Sequence, residues 1–541
     1  MPWTSPVPVK RKGSRTTPVP QLAKPQVVLP PVSVNQVDPL SQMDPRDAIF
    51  MYNMISYRYG TKVRQGYKQW ATTVGPGGVK TVIPYVGSIL ANDRFFSIGT
   101  DGIYDTSVSV ATPAVKLAFA GGATSTSGQG IWQAVTTTAG FFTTYCDEQY
   151  GYYLYTESTD TWAKVTNVQV TGVDPANFVF VMAHKERLWF IQKSTSSAWY
   201  LPTGAITGAA TQFNFGNKFK HGGTLQALYE WTIQGSTGPE SYLVAISSSG
   251  EVLIYGGTDP SDATTWGIVG SWYIGTVPVG RRIGGNIGGD LYILSIAGLQ
   301  PLNKVVQGNQ TQIENIEVSR KISPAVRAAM LISFNQVGWE VKLHPSQDSL
   351  IVVSPKQTGF TNTQFVQSLN NQGWSFFQNM PIFTGDVWHG NFYFGGLDGN
   401  VYVIQGDTDN QPRTGTAPGS AIISAVLGSF QDYEEPGQYH TGMFVRPVFL
   451  ASAQPTYQIE LRYDYNLSEL FNPGSSAPIT GVLWDIAVWD VDVWSGQFLE
   501  IEAVRGAGGM GRAMAVGLSM STSVETTLIR YDIMYDSGGL L

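Results

Sequence analysis

The sequence is poor in several things that would each have pointed somewhere. It has one cysteine, Cys146, in 541 residues. That rules out an internal disulfide framework and any multi-thiolate metal centre. The thiol sits in "FFTTYCDEQYGYYLY" and reads as a small packed residue. No run of about 18 apolar residues occurs, so no membrane span is expected. The N-terminus lacks an uninterrupted apolar stretch after its basic cluster, so a signal peptide is not expected either. Synthesis and assembly in the cytoplasm is therefore the default expectation.

Recognisable chemistry is scarce too. There is no His-Glu-x-x-His, Walker A or EF-hand pattern and no Gly-x-Ser-x-Gly elbow. The five histidines (His184, His221, His344, His389, His440) lie far apart, none beside another ligand type at a metal spacing. "GAGGMG" at 506–511 fits the dinucleotide fingerprint in form, but the residues after it read as strands, not the helix of a βαβ unit, so it is taken as a glycine-rich turn. Carboxylates among tryptophans at 484–494, "WDIAVWDVDVW", suggest a glycosidase. Alternation instead puts Asp490 and Asp492 on one face and Trp489 with Val491 and Val493 on the other, as in a half-buried strand. The Ser-x-Asp-x-Gly-x-x-Trp box of sialidase propellers is missing, since "STDTW" at 158–162 lacks its glycine. No catalytic, cofactor or metal residue is assigned, and no enzyme is expected.

Charged residues make up only 13% of the chain, whereas there are 60 glycines and 30 prolines. That bias favours strands and turns. "FYFGGLDGNVYVI" (392–404) is two aromatic-rich runs around Asp398-Gly399, a hairpin signal. Similar hairpins occur at "FFSIGTDGIY" (95–104), "LVAISSSGEVLIY" (243–255) and "LYILSIAGLQPL" (291–302). Their turn glycines, at 102, 250, 298 and 399, are separated by near-multiples of about 49 residues. Further copies turn near 158, 196 and 347. About 40 to 50 residues per repeat is the length of a four-stranded propeller blade. The fold class expected is all-β: a propeller of about seven hairpin-repeat blades, within a range of six to eight, with an additional C-terminal antiparallel β-domain and an extended Pro-rich N-terminal arm.

The chain divides accordingly. Residues 1–43 are Pro-rich and basic, without a core of their own. Over residues 1–46 the net charge is +4, so the rest carries −11. The arm is expected to dock on a partner, with Trp3, Lys10, Arg11, Lys12 and Arg15 as its contact residues. Residues 44–90 read as a helix plus strands, a platform or the start of the propeller. There Asp44 caps, Pro45 opens, and Ala48, Ile49, Tyr52 and Ile55 form one apolar face until Gly60. "TKVRQGYKQWATTV" reads as a strand pair. The propeller spans 91–406, with an inserted helix at 323–335. A linker spans 407–420, and 421–541 form a sandwich-like domain.

The order of these parts, with "DPLSQMDPRDAIFMYNMISYRYGTKVRQGY", "DGIYD", "GDLYILSIAGLQPL" and the closing "YDIMYDSGGLL", resembles the tail nozzle proteins of short-tailed bacteriophages, also called tail tubular protein B or tail hub proteins. The resemblance covers most of 37–541. Its most specific parts are Asn53 to Tyr67 and the terminal "SGGLL". It implies a structural virion protein of the phage tail, made in the host cytoplasm, whose copies form a ring, a hexamer by this resemblance, below the portal. Partners implied are a head-to-tail adaptor, tail fibres or spikes, and genomic DNA crossing the lumen without sequence-specific binding during genome ejection. An acidic body suits a passage to which DNA does not adhere. The alternative is a receptor-binding or glycan-cleaving tail protein with a propeller fold, and a third reading is a free-standing sensor or scaffold propeller.

Overall fold

The computed structural model describes residues 23–122, 128–235, 238–308, 317–356, 362–468, 470, 499–502 and 504–538. Six free-standing antiparallel sheets occupy 81–118, 130–164, 178–214, 225–273, 284–301 and 384–404. A seventh unit, at 340–378, has four strands and runs on into a ten-stranded sheet. Neighbouring units touch in chain order and the last returns to the first, closing a ring. This is a β-propeller. Its closing strand is Tyr67–Ala71, which precedes the first blade and pairs with Val401–Ile404 of the last. Closure of this kind removes the free edge that the last blade would otherwise present.

Each of the seven turn centres read from the sequence lies in a different unit, but not at the same turn of each. The one near 158 joins the third and fourth strands of its blade, and the one near 347 joins the first and second. The uneven spacing has that cause. At Gly399 the φ of +77° is the left-handed conformation the hairpin needs, and a Cβ there would sit 2.8 Å from the Gly77 carbonyl.

The second body is a two-sheet sandwich drawn from both ends of the chain. Its eight-stranded sheet centres on His440–Ala451 and Thr526–Ser537, and Lys24–Val28, Met54–Tyr57 and Gly60–Val63 are among its other strands. In the ten-stranded sheet, Asp47–Tyr52 lies between Trp374–Gln378 of the seventh unit and Ser420–Gly428. Val445, Phe449, Leu528 and Ile533 from one sheet meet Val426, Val516, Leu518 and Met520 from the other in one core, which continues into Ile322 and, in the helix Ser323–Ser333 that follows it, Val326 and Met330.

The structure departs from several expectations. The helix expected over 44–60 is instead three strands, Asp47–Tyr52, Met54–Tyr57 and Gly60–Val63. Pairing with strands hundreds of residues away outweighs its weak helical periodicity, and Asn53, at φ +56°, turns the chain between the first two. Asp44 caps no helix, and its carboxylate accepts from the Arg46 amide in a local turn. The two strands of "TKVRQGYKQWATTV" exist but do not pair with each other. Gly60–Val63 joins the sandwich and Tyr67–Ala71 the propeller. The 407–420 segment is more than a linker, because Thr408–Asp409 pairs with Ser420–Ala421. "GAGGMG" contributes two short strands, Arg505–Gly506 and Met510–Gly511, to the edge of His440–Ala451. Residues 421–538 are not a separate domain, since strands from 24–63 complete both their sheets. The described part of the arm lies along its own chain, Lys24 opposite Tyr535 and Val28 opposite Tyr531. Trp3, Lys10, Arg11, Lys12, Arg15 and the 484–494 stretch lie outside the described residues.

Candidate functional site: the propeller axis and the joint

Arg281 and Arg282 immediately precede the first strand of the fifth sheet, Gly284–Ile287. From there the Arg282 guanidinium reaches across the ring. It donates to the Gly130 carbonyl of the second blade (2.8 and 3.1 Å) and to the Lys80 carbonyl just before the first (3.1 Å). It also donates to the Thr384 hydroxyl of the last blade (2.9 Å) and lies 3.7 Å from the Glu340 carboxylate. A side chain that touches blades on opposite arcs of a ring must cross its centre. Arg281 donates to the Glu148 carboxylate at 2.6 Å and to the carbonyls of Leu225 and Gln226 at 3.1 and 2.8 Å. One turn of chain thus ties most of the blades together at one end of the axis.

The charges around it are balanced. Lys342, two residues along from Glu340, pairs with Asp386 at 2.6 Å and with Glu340 at 3.5 Å. Burial alone would lower the Lys342 pKa, but Asp386 and Glu340 outweigh it and the net direction is up. Burial lowers the Lys80 pKa, against the pull of Asp147. Asp147, fully buried, accepts from the Gly128 amide (2.7 Å) and the Tyr145 hydroxyl (3.0 Å). Four cations (Lys80, Arg281, Arg282, Lys342) face four carboxylates (Asp147, Glu148, Glu340, Asp386). Partners this close bind one another, so the arrangement staples the ring shut more than it presents reactive groups.

The second constellation joins the two bodies. Arg64, with no exposed side-chain surface, makes a two-pronged pair with Asp409 (2.6 and 2.7 Å). Its guanidinium also donates to Asn53 Oδ1 (2.9 Å), the Gln65 carbonyl (2.9 Å) and the Gln378 carbonyl (3.2 Å). Asn53 Oδ1 also accepts from the Gln378 amide, while its Nδ2 donates to the Ile423 carbonyl, both at close range (2.7 and 2.8 Å). The Asn53 to Tyr67 stretch is therefore a joint whose central side chains, Asn53 and Arg64, bond to strands of both bodies. Gly66 belongs to it: a Cβ there would lie 1.9 Å from the Thr408 carbonyl.

No catalytic or binding motif in the sequence marks either place. The signal available was a rarity, since Arg281-Arg282 is the only Arg-Arg pair in a chain so poor in charge. Among the described residues, no group of three or more His, Cys, Asp or Glu side chains is placed to hold a metal ion, and no helix is long and apolar enough to cross a membrane.

No family model and no curated protein matches the chain. Among solved structures, the chain is similar to the β-propeller domain of Cps50 (Swd1) from Myceliophteria thermophila. That match has 10% identity and a TM-score of 0.34, and covers 61% of this chain and 100% of that domain.

Proposed function

We propose that this protein is a wall-building component of a phage tail, a nozzle whose copies form a ring continuing the DNA channel below portal and adaptor. The observation that carries the reading is the outer face of the eight-stranded sheet. Val27 (57% exposed), Phe444 (44%), Val504 (59%) and Met534 (39%) line one open apolar hollow of about 700 Å³ there. Pro25, Met534 and Phe444 occupy one row across three strands. Beside them Arg446 and Arg530 share Asp532. A contiguous apolar patch rimmed by charges suits burial against another protein, and a ring supplies a second copy. The stapled axis agrees with this division of labour, because a passage for DNA would then run between copies and not through each propeller.

The test is Phe444→Glu. Native mass measurement of the unsubstituted chain is expected to give a closed ring, and the variant a single chain that keeps the parent's far-UV circular dichroism. Rings that persist in the variant would remove this face from the account.

A further inference from the structure

Where the two sheets of the sandwich open toward the Lys24–Val28 strand, a recess of about 310 Å³ lies between them, within the range of ligand-sized sites. Tyr433, Tyr531, Pro31 and Pro45 line it, and Asp432 and Glu434 stand at its rim, with Arg46 facing the same space. Tyr531 is 2% exposed, yet its hydroxyl has no partner. An unpaired buried hydroxyl is costly to a fold, and a ligand with a free carbonyl would remove the cost. Burial drives the Tyr531 pKa upward, so the group stays a donor across ordinary pH.

We propose that this recess binds the Pro6-Val7-Pro8 stretch of a second copy's N-terminal arm. The inference rests on the ring reading for the presence of that copy. A polyproline segment has no internal hydrogen bonds, so its carbonyls are open to a donor, and aromatic-lined grooves recognise its preformed shape. Lys10, Arg11, Lys12 and Arg15 come directly after it and bring positive charge to Asp432 and Glu434. Val7 stands 16 residues before Ala23, a reach of roughly 50 Å at about 3.1 Å per residue. Strand direction argues for a neighbour's arm over the chain's own. Tyr531 stands opposite Val28 and Tyr535 opposite Lys24, so the chain upstream of Lys24 leaves at the end away from Tyr531.

Full-length chains carrying Val7→Cys are mixed with full-length chains carrying Gln431→Cys, a residue that lines the recess. The native Cys146 is buried, and burial raises its pKa well above the usual thiol value, so it does not compete. The expected result is a disulfide between the two kinds of chain. Tyr531→Phe in the receiving chain should lower its yield about three- to ten-fold. It should not lower the melting temperature, because the hydroxyl makes no bond within the fold. A bond formed only inside a chain carrying both cysteines, no bond at all, or a yield indifferent to Tyr531→Phe would overturn the proposal. Native mass on the same samples separates the two readings. Rings without the cross-link defeat the arm inference alone, and cross-linked pairs without rings defeat the ring reading and leave the arm inference standing.

Discussion

The propeller and the sandwich use the same kind of strand but opposite patterns of separation along the chain. Each blade is a run of consecutive hairpins, so its partners lie within a few dozen residues, and only Tyr67–Ala71 is brought in from outside its own blade. The sandwich pairs Asp47–Tyr52 with Ser420–Gly428 and Lys24–Val28 with Thr526–Ser537. Local pairing lets each blade form with little loop-closure cost, whereas the sandwich forms only after both ends of the chain meet. The difference assigns mechanical roles: the blades give a repeating rigid disc, and the sandwich locks the two ends and holds the disc through Arg64.

The largest test of that division is Arg64→Ala. Removing one partner of a buried, hydrogen-bonded pair leaves the Asp409 carboxylate without its two-pronged donor and costs about 3–5 kcal/mol. Calorimetry should then resolve separate sandwich and propeller transitions where the parent shows one. A single transition at the parent temperature would erase the distinction between the bodies.

The next effect is set by pH and should fall on the propeller. His344 is buried against Phe392 with rings 5.2 Å apart, and burial lowers its pKa to about 4. In the unfolded chain it would titrate near 6.5. Between these values the unfolded state binds a proton the folded state refuses, so stability is full above about pH 6.5 and falls as pH drops toward 4. The loss is on the order of 3 kcal/mol. His344→Gln should flatten that part of the stability profile in urea titrations, and a profile unchanged by the substitution would contradict the assignment.

Arg282→Met addresses the axis. It takes the Arg282 donor away from the Gly130 and Lys80 carbonyls and the Thr384 hydroxyl, for a loss of about 2–3 kcal/mol. Hydrogen exchange should speed up first in 130–137 and 384–388, and exchange confined to the fifth blade would remove the staple. A smaller effect is expected from deleting residues 1–28, which takes away five cross-strand pairs and costs about 2 kcal/mol, read as a lower sandwich transition with the propeller unmoved. Lys24→Ala, which breaks only an exposed pair with Glu435, should be indistinguishable from the parent in the same melt.

Legibility in the sequence splits along the same divide. Hairpin glycines and aromatic alternation are local signals, so the propeller fold could be read from Gly250, Gly298 and Gly399 and their spacing. The helix Ser323–Ser333 was equally visible in the Val326 and Met330 periodicity, with Pro324 in its first turn. The 44–60 stretch misled because Ala48, Ile49, Tyr52 and Ile55 mimic a helical stripe, whereas the decisive partners, Ala425 to Gly428, lie almost 400 residues away. The pairings at the joint and the axis cannot be read from the sequence for a related reason. Arg64 and Asp409, or Arg282 and Gly130, become neighbours only once the ring has closed.

On the proposed reading, these bodies are parts of a wall made of several copies. Cryo-electron microscopy of the purified full-length chain at micromolar concentration tests it most directly. Closed rings are expected, in which the Phe444 face of each sandwich meets its neighbour around an open centre. A population of single chains, or assemblies that leave that face in solvent, would contradict it.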